Sequence, residues 1–126
     1  MTKIEKHYYI NASAEKTWKA LTEKQEIEKW GGGPAEMDEN IGTNFYLWGG
    51  DIHGTNIEII QNVKLVQDWF GGNWEKPSRV VFTLKPTGTK TQLSLLHTEV
   101  PENEVSNFDS GWDDYYLGAI KKYLES

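Results

Sequence analysis

The sequence contains no cysteine, which excludes disulfides, thiolate nucleophiles and thiolate metal sites. No run approaches the ~18 apolar residues of a membrane span, and the opening Met1-Thr2-Lys3-Ile4-Glu5-Lys6 lacks the apolar stretch of a secretion signal. The expectation is a cytoplasmic protein. Positive charge is in deficit: 13 Lys and Arg against 19 Asp and Glu leave a net charge of −6. No basic stripe offsets it, which argues against a nucleic-acid partner. Histidine is sparse, and His7, His53 and His97 share no metal-ligand spacing. No metal and no cofactor are expected.

Motifs that carry chemistry are equally scarce. Gly31-Gly32-Gly33-Pro34 follows a helical stretch and lacks the Lys-Ser or Lys-Thr of a phosphate loop, so it reads as a turn or pocket rim. Trp30-Gly31-Gly32, Trp48-Gly49-Gly50 and Trp69-Phe70-Gly71-Gly72 are too unevenly spaced for a structural repeat. The serines lie in no nucleophile elbow. Asp113, Asp114, Glu102 and Glu104 belong to a solvated helix start, not to a buried acid–base site. The sequence holds no self-evident catalytic constellation.

What it does hold is aromatic bulk in regular spacing. Its 126 residues, six of them tryptophan, suffice for one domain that buries roughly two thirds of its unfolded surface. Val105, Phe108, Trp112, Tyr115, Tyr116, Ala119, Ile120, Tyr123 and Leu124 recur at steps of three and four. That spacing predicts a C-terminal helix with a wide apolar stripe, and Lys121 and Lys122 near its end complement the helix dipole. A stripe this aromatic needs a large partner surface, and the strands expected between residues 42 and 99 provide one.

Upstream, Lys3 to Ile10 alternates as a strand with Ile4, Lys6, Tyr8 and Ile10 on one face. Ser13 is a good N-cap for a helix carrying Ala14, Trp18 and Leu21, and a second short helix ends at the triple glycine. A brief strand is expected at Ala35 to Asp38 and a stronger one at Thr43 to Trp48. Ile52 to Ile60 follows, with Ile57 and Ile59 facing opposite to Asn56 and Glu58. Val63, Leu65, Gln67 and Trp69 share a face, as do Val80, Phe82 and Leu84, before a turn at Pro86-Thr87-Gly88. Leu93, Leu95 and His97 complete the inward set. His97 and Gln67 are polar on otherwise apolar faces. Two readings stand for them: a satisfied core histidine bonded to a tyrosine or backbone group, or the polar end of a ligand cavity.

Ile10-Asn11-Ala12-Ser13-Ala14-Glu15-Lys16-Thr17-Trp18-Lys19-Ala20-Leu21-Thr22 resembles the opening of START-like domains. The branch resembled is that of the activators of the heat-shock-protein-ninety ATPase and their stand-alone relatives. Trp30, Gly42 before Phe45, Gly54 before Ile57, Leu65 with Trp69, Thr91 to Thr98, and Gly111-Trp112 carry the resemblance along nearly the whole chain. It implies an α+β helix-grip fold: a curved antiparallel sheet of about six to seven strands around a long C-terminal helix, with two short helices after the first strand. Gln67 and Asn56 stand where relatives carry apolar residues. The activators resembled also carry a separate N-terminal domain, for which 126 residues leave no room.

These observations lead to one START-like domain over residues 1–126 that binds a small, largely apolar or amphipathic ligand between sheet and helix, without catalysis. The expected lining is Phe45, Leu47, Leu65, Gln67, Trp69, Phe82, Leu93, Leu95, His97, Trp112, Tyr116 and Ile120. The same residues would otherwise fill a solid core. A chaperone-binding module is the alternative function, and a cyclase or hydrolase-like enzyme the third.

Overall fold

Period-two patterning becomes six strands in the computed structural model, which describes residues 2–72 and 74–126. They are β1 (Lys3–Ile10), β2 (Asn44–Leu47), β3 (Ile52–Ile60), β4 (Lys64–Gly71), β5 (Ser78–Thr87) and β6 (Lys90–Thr98). All pairings are antiparallel in the order β1-β6-β5-β4-β3-β2, so the first strand lies against the last, with Ile4 opposite His97. Between β1 and β2 the chain forms α1 (Ala14–Thr22) and α2 (Lys24–Trp30). The Ser13 hydroxyl accepts from the Lys16 N–H at 3.1 Å and starts α1. Gly31, at φ 105°, stops α2 in the left-handed conformation that favours glycine. The architecture is α+β, a curved sheet closed over a C-terminal helix.

Three local expectations are corrected. Asn56 faces inward and is fully buried, whereas Ile57 is 37% exposed. A β-bulge between Asn56 and Glu58 leaves Ile57 without a cross-strand partner and breaks the alternation there. Asn56 keeps its inward place because its amide bridges two segments, donating to the carbonyls of Asp38 and Asn40 at 3.1 and 3.3 Å. The strand at Ala35 to Asp38 is reduced to a single bridge, Glu36 to Tyr46. Pro86 and Thr87 continue β5 opposite Thr91 and Lys90, and the turn falls at Gly88, whose φ is 68°.

The C-terminal helix runs as α3 (Val105–Gly111), a π-helical turn (Trp112–Tyr116) and α4 (Leu117–Leu124). The wide turn adds a residue to the helical repeat and rotates the stripe after it. Leu117, absent from the expected stripe, is therefore fully buried, and Tyr115, placed on it, is 67% exposed. Trp112 stacks on Trp69 at 4.9 Å between ring centroids and meets Phe82 edge-on. Tyr116 lies on Phe82 and against Trp30. On the opposite side, Lys6 of β1 reaches Asp113 at 2.7 Å and Asp109 at 3.2 Å, while the Tyr8 hydroxyl donates to Asp113. Against the penalty of burial, these donors hold the Asp113 carboxyl below its ordinary pKa.

The π turn makes Gly118 obligatory. A Cβ built there would lie 2.0 Å from the Asp113 carbonyl oxygen. Alanine is ordinarily the better helix former by about 1 kcal/mol, yet Gly118→Ala is expected to destabilise the protein by ~1–3 kcal/mol through overpacking. Chemical denaturation of both proteins checks the sign; a stabilised variant would show that the turn relaxes to regular α-helix.

Candidate functional site

Burying several indoles, an imidazole and two amides in one core requires a partner for each N–H. The Trp112 indole N–H donates to His97 Nδ1 at 3.0 Å. Nδ1 is thus the acceptor, and Nε2 carries the proton and donates to the Ser78 hydroxyl at 2.7 Å. Ser78 in turn donates to the Trp69 carbonyl at 3.2 Å. From the other end of the same residue, the Trp69 indole donates to Gln67 Oε1 and the Gln67 amide to Asn56 Oδ1, each at 2.9 Å. One chain of bonds therefore runs from the last helix through β6, β5 and β4 to β3. Burial pushes the His97 pKa down to about 4. His97 is neutral and doubly engaged, with a tryptophan and a serine as partners in place of the expected tyrosine or backbone group.

Beside this network the packing opens. A cavity of about 350 Å³ lies between the last helix and the rim formed by β4, the start of β3 and the turn after β2. Trp48, Ile52, Trp69, Phe108, Trp112, Tyr115 and Tyr116 wall it, with Gly111 and Asn107 on the helix side. A second, more polar hollow of about 460 Å³ adjoins it, sharing Ile52 and Phe108 and adding Asp51, Trp74, Asn103 and Glu104. Tyr116 is 1% exposed, and its hydroxyl finds no hydrogen-bond partner among the described residues. Burial raises its pKa, so the phenol stays protonated. Among the described residues no three His, Asp or Glu side chains gather as metal ligands, and no helix is long and apolar enough to cross a membrane.

Of the twelve candidate residues, Trp69, Trp112 and Tyr116 line the cavity. Phe45, Leu47, Leu65, Phe82, Leu93, Leu95 and Ile120 are buried in the core, and Gln67 and His97 sit in the polar chain just described. Sequence reasoning passed over Trp48, Ile52, Asn107, Phe108, Gly111 and Tyr115 as site residues. Phe108 and Tyr115 belong to the helix stripe, and Trp48 to a Trp-Gly-Gly motif. Trp48 adopts φ 48° directly after β2 and turns out of the strand direction, its indole donating to the Gly31 carbonyl at 2.8 Å.

Comparison with known proteins places this geometry in context. Residues 11–125 match the family model of Activator of Hsp90 ATPase homolog 1-like protein. Activator of 90 kDa heat shock protein ATPase homolog 2 of Mus musculus is 26% identical over 118 residues, covering 92% of this chain and 36% of that protein. The Dictyostelium discoideum activator homolog is 34% identical over 88 residues, 68% of this chain and 23% of its own. The chain thus spans about a third or less of the curated relatives it matches. The crystal structure of PFC0360w, an HSP90 activator from Plasmodium falciparum, superposes with a TM-score of 0.90 at 25% identity, covering 99% of this chain and 97% of that one.

The polar chain predicts a pH signature. His97 has a folded pKa of about 4 against an ordinary 6.5, so between those values the unfolded chain binds the proton more tightly. Stability from this group is complete above pH 6.5 and falls as pH drops toward 4, by on the order of 3 kcal/mol. His97→Phe strands the Trp112 N–H and should cost ~1–3 kcal/mol at neutral pH. It should also remove the His97 share of the acid slope. Denaturation midpoints of both proteins between pH 4 and 8 check this; parallel curves would show that the imidazole is not held neutral.

Proposed function

The chain belongs to the Activator of Hsp90 ATPase homolog 1-like protein family, and on that footing we propose that it binds a small, largely apolar ligand without chemistry of its own. The site is the cavity beside the C-terminal helix. The observation that carries this reading is its wall: six aromatic rings around about 350 Å³, at the lower end of the ~300–1,000 Å³ typical of small-molecule sites. Trp69, Trp112 and Tyr116 make direct contact, and the other nine candidate residues form the packed floor that holds those three in place. Engagement of both His97 nitrogens within the protein supports binding over catalysis, because no free base faces the cavity from that side.

A chaperone-type protein partner is the second reading. Ile57, Ile60 and Val63 are 37%, 47% and 45% exposed around the β3–β4 hairpin, and the names of the curated relatives point the same way. Since the match covers a minor part of those relatives, their whole-protein activity is not expected of this chain by itself. Adding it at micromolar concentration to a 90 kDa heat shock protein should leave the ATPase rate unchanged. A several-fold increase would favour the second reading over the first.

Gly111 supplies the test of the ligand site. It lines the cavity with helical dihedrals of −62° and −37°, and a Cβ there meets nothing within 4 Å. Gly111→Leu should therefore fill the cavity while gaining up to ~1 kcal/mol of helix propensity. N-phenyl-1-naphthylamine is expected to show saturable fluorescence enhancement with the wild type and none with the variant, which should melt at or above the wild-type temperature. Equal enhancement by both proteins would place binding elsewhere, and none with either would remove the reading.

A further inference from the structure

Resting on that reading of the cavity, we infer that Tyr116 is its ligand-orienting donor, and that the ligand is a neutral, flat apolar molecule bearing one carbonyl or ether oxygen that accepts from the Tyr116 hydroxyl. Two observations converge on this residue. Tyr116 lines the cavity, and its hydroxyl is buried with no partner among the described residues. Buried hydroxyls are ordinarily paired, so one left over beside an apolar hollow marks where a ligand group completes the count.

The Tyr115 hydroxyl and the Asn107 amide also border the cavity but belong to exposed residues, and the buried indole donors of the wall are already engaged inside the protein. The indoles of Trp48, Trp69 and Trp112 donate to the Gly31 carbonyl, Gln67 and His97 respectively. An acceptor deep in the cavity therefore has Tyr116 as its available partner. The π turn points to the same residue by backbone geometry. Tyr116 leaves that turn at φ −119° and ψ −82°, far from helical values, and the turn brings Trp112 and Tyr116 to the cavity together. Such turns recur at functional positions in helices.

The chemical class follows from the surroundings. Desolvation keeps the phenol protonated, so it donates. Among the described residues no cation lines either hollow, and Asp51 and Glu104 flank the adjoining one. A carboxylate or phosphate would meet repulsion at the mouth and no counter-charge within. A neutral oxygen on a ring-shaped body meets neither penalty, and the accessible rings of Trp48, Phe108 and Tyr115 offer that body aromatic surface.

The test pairs two isosteres, 2-acetonaphthalene and 2-isopropenylnaphthalene, which differ in a carbonyl oxygen against a methylene. Each is titrated into wild type and Tyr116→Phe, followed by tryptophan fluorescence, with melting curves of both proteins. The expected result is that wild type binds the ketone about tenfold more tightly, a difference of about 1.4 kcal/mol. Tyr116→Phe should bind both compounds alike, at the affinity wild type shows for the alkene, and should melt no lower than wild type. Equal wild-type affinity for the two compounds overturns the inference while the cavity reading stands. So does a preference that survives in Tyr116→Phe, or a variant that melts well below wild type, since the hydroxyl would then serve the fold. If neither compound binds wild type, and N-phenyl-1-naphthylamine also fails, the cavity reading falls and this inference falls with it.

Discussion

An aromatic helix can be laid across a sheet only if the indole N–H groups that go down with it find acceptors. In this protein the constraint is met by a single relay of hydrogen bonds from Trp112 through His97 and Ser78 to Trp69, continued by Gln67 and Asn56. Each member is both donor and acceptor where its chemistry allows, and in a low-dielectric interior such bonds are strong when complete and costly when broken. The relay fixes the rotation of the last helix and the side-chain facing of four strands together. That is why the polar residues His97, Gln67 and Asn56 lie at the bottom of an otherwise apolar core.

Much of this fold could be read directly from the residues. The six strands, the Ser13 cap, the Gly31 stop, the inward faces of β5 and β6, and Leu65, Gln67 and Trp69 of β4 followed from period and turn chemistry, because each rests on neighbours close in sequence, whereas Val63, expected on that β4 face, precedes the strand and is 45% exposed. Asn56 and Tyr115 did not. The facing of Asn56 depends on a bulge stabilised by carbonyls of the 38–40 turn, and that of Tyr115 on a π turn held from β1. Neither contact has a signature within a short window. The candidate site shows the same division. Inward alternation identifies which side chains are buried, but the cavity is the place where burial fails to fill space. Trp69, Trp112 and Tyr116, expected as lining, border it because they face inward, whereas Trp48 owes its position to the turn after β2, and Phe108 and Gly111 to the helix turn before Trp112.

The cavity and the relay share Trp69 and Trp112 and therefore share an energetic floor. A pocket whose walls are fixed by internal hydrogen bonds is largely formed before any ligand arrives, which lowers the ordering cost of binding. The family likeness covers the fold over nearly the full chain, while the chemistry of this hollow belongs to particular side chains of this sequence. Fold and site are separate grounds for separate conclusions.

The pairing of β1 with β6 has a consequence for biogenesis. Ile4 lies opposite His97, Lys121 reaches back to the Tyr9 carbonyl, and Glu125 accepts from the Asn11 N–H. On the ribosome the first strand must therefore remain without its hydrogen-bonded neighbour until β6 has been made. Its alternation places the polar side chains of Lys3, Glu5 and His7 on the exposed side of the strand. Charges in that position discourage pairing with strangers, so the nascent segment carries its own protection through the wait for β6.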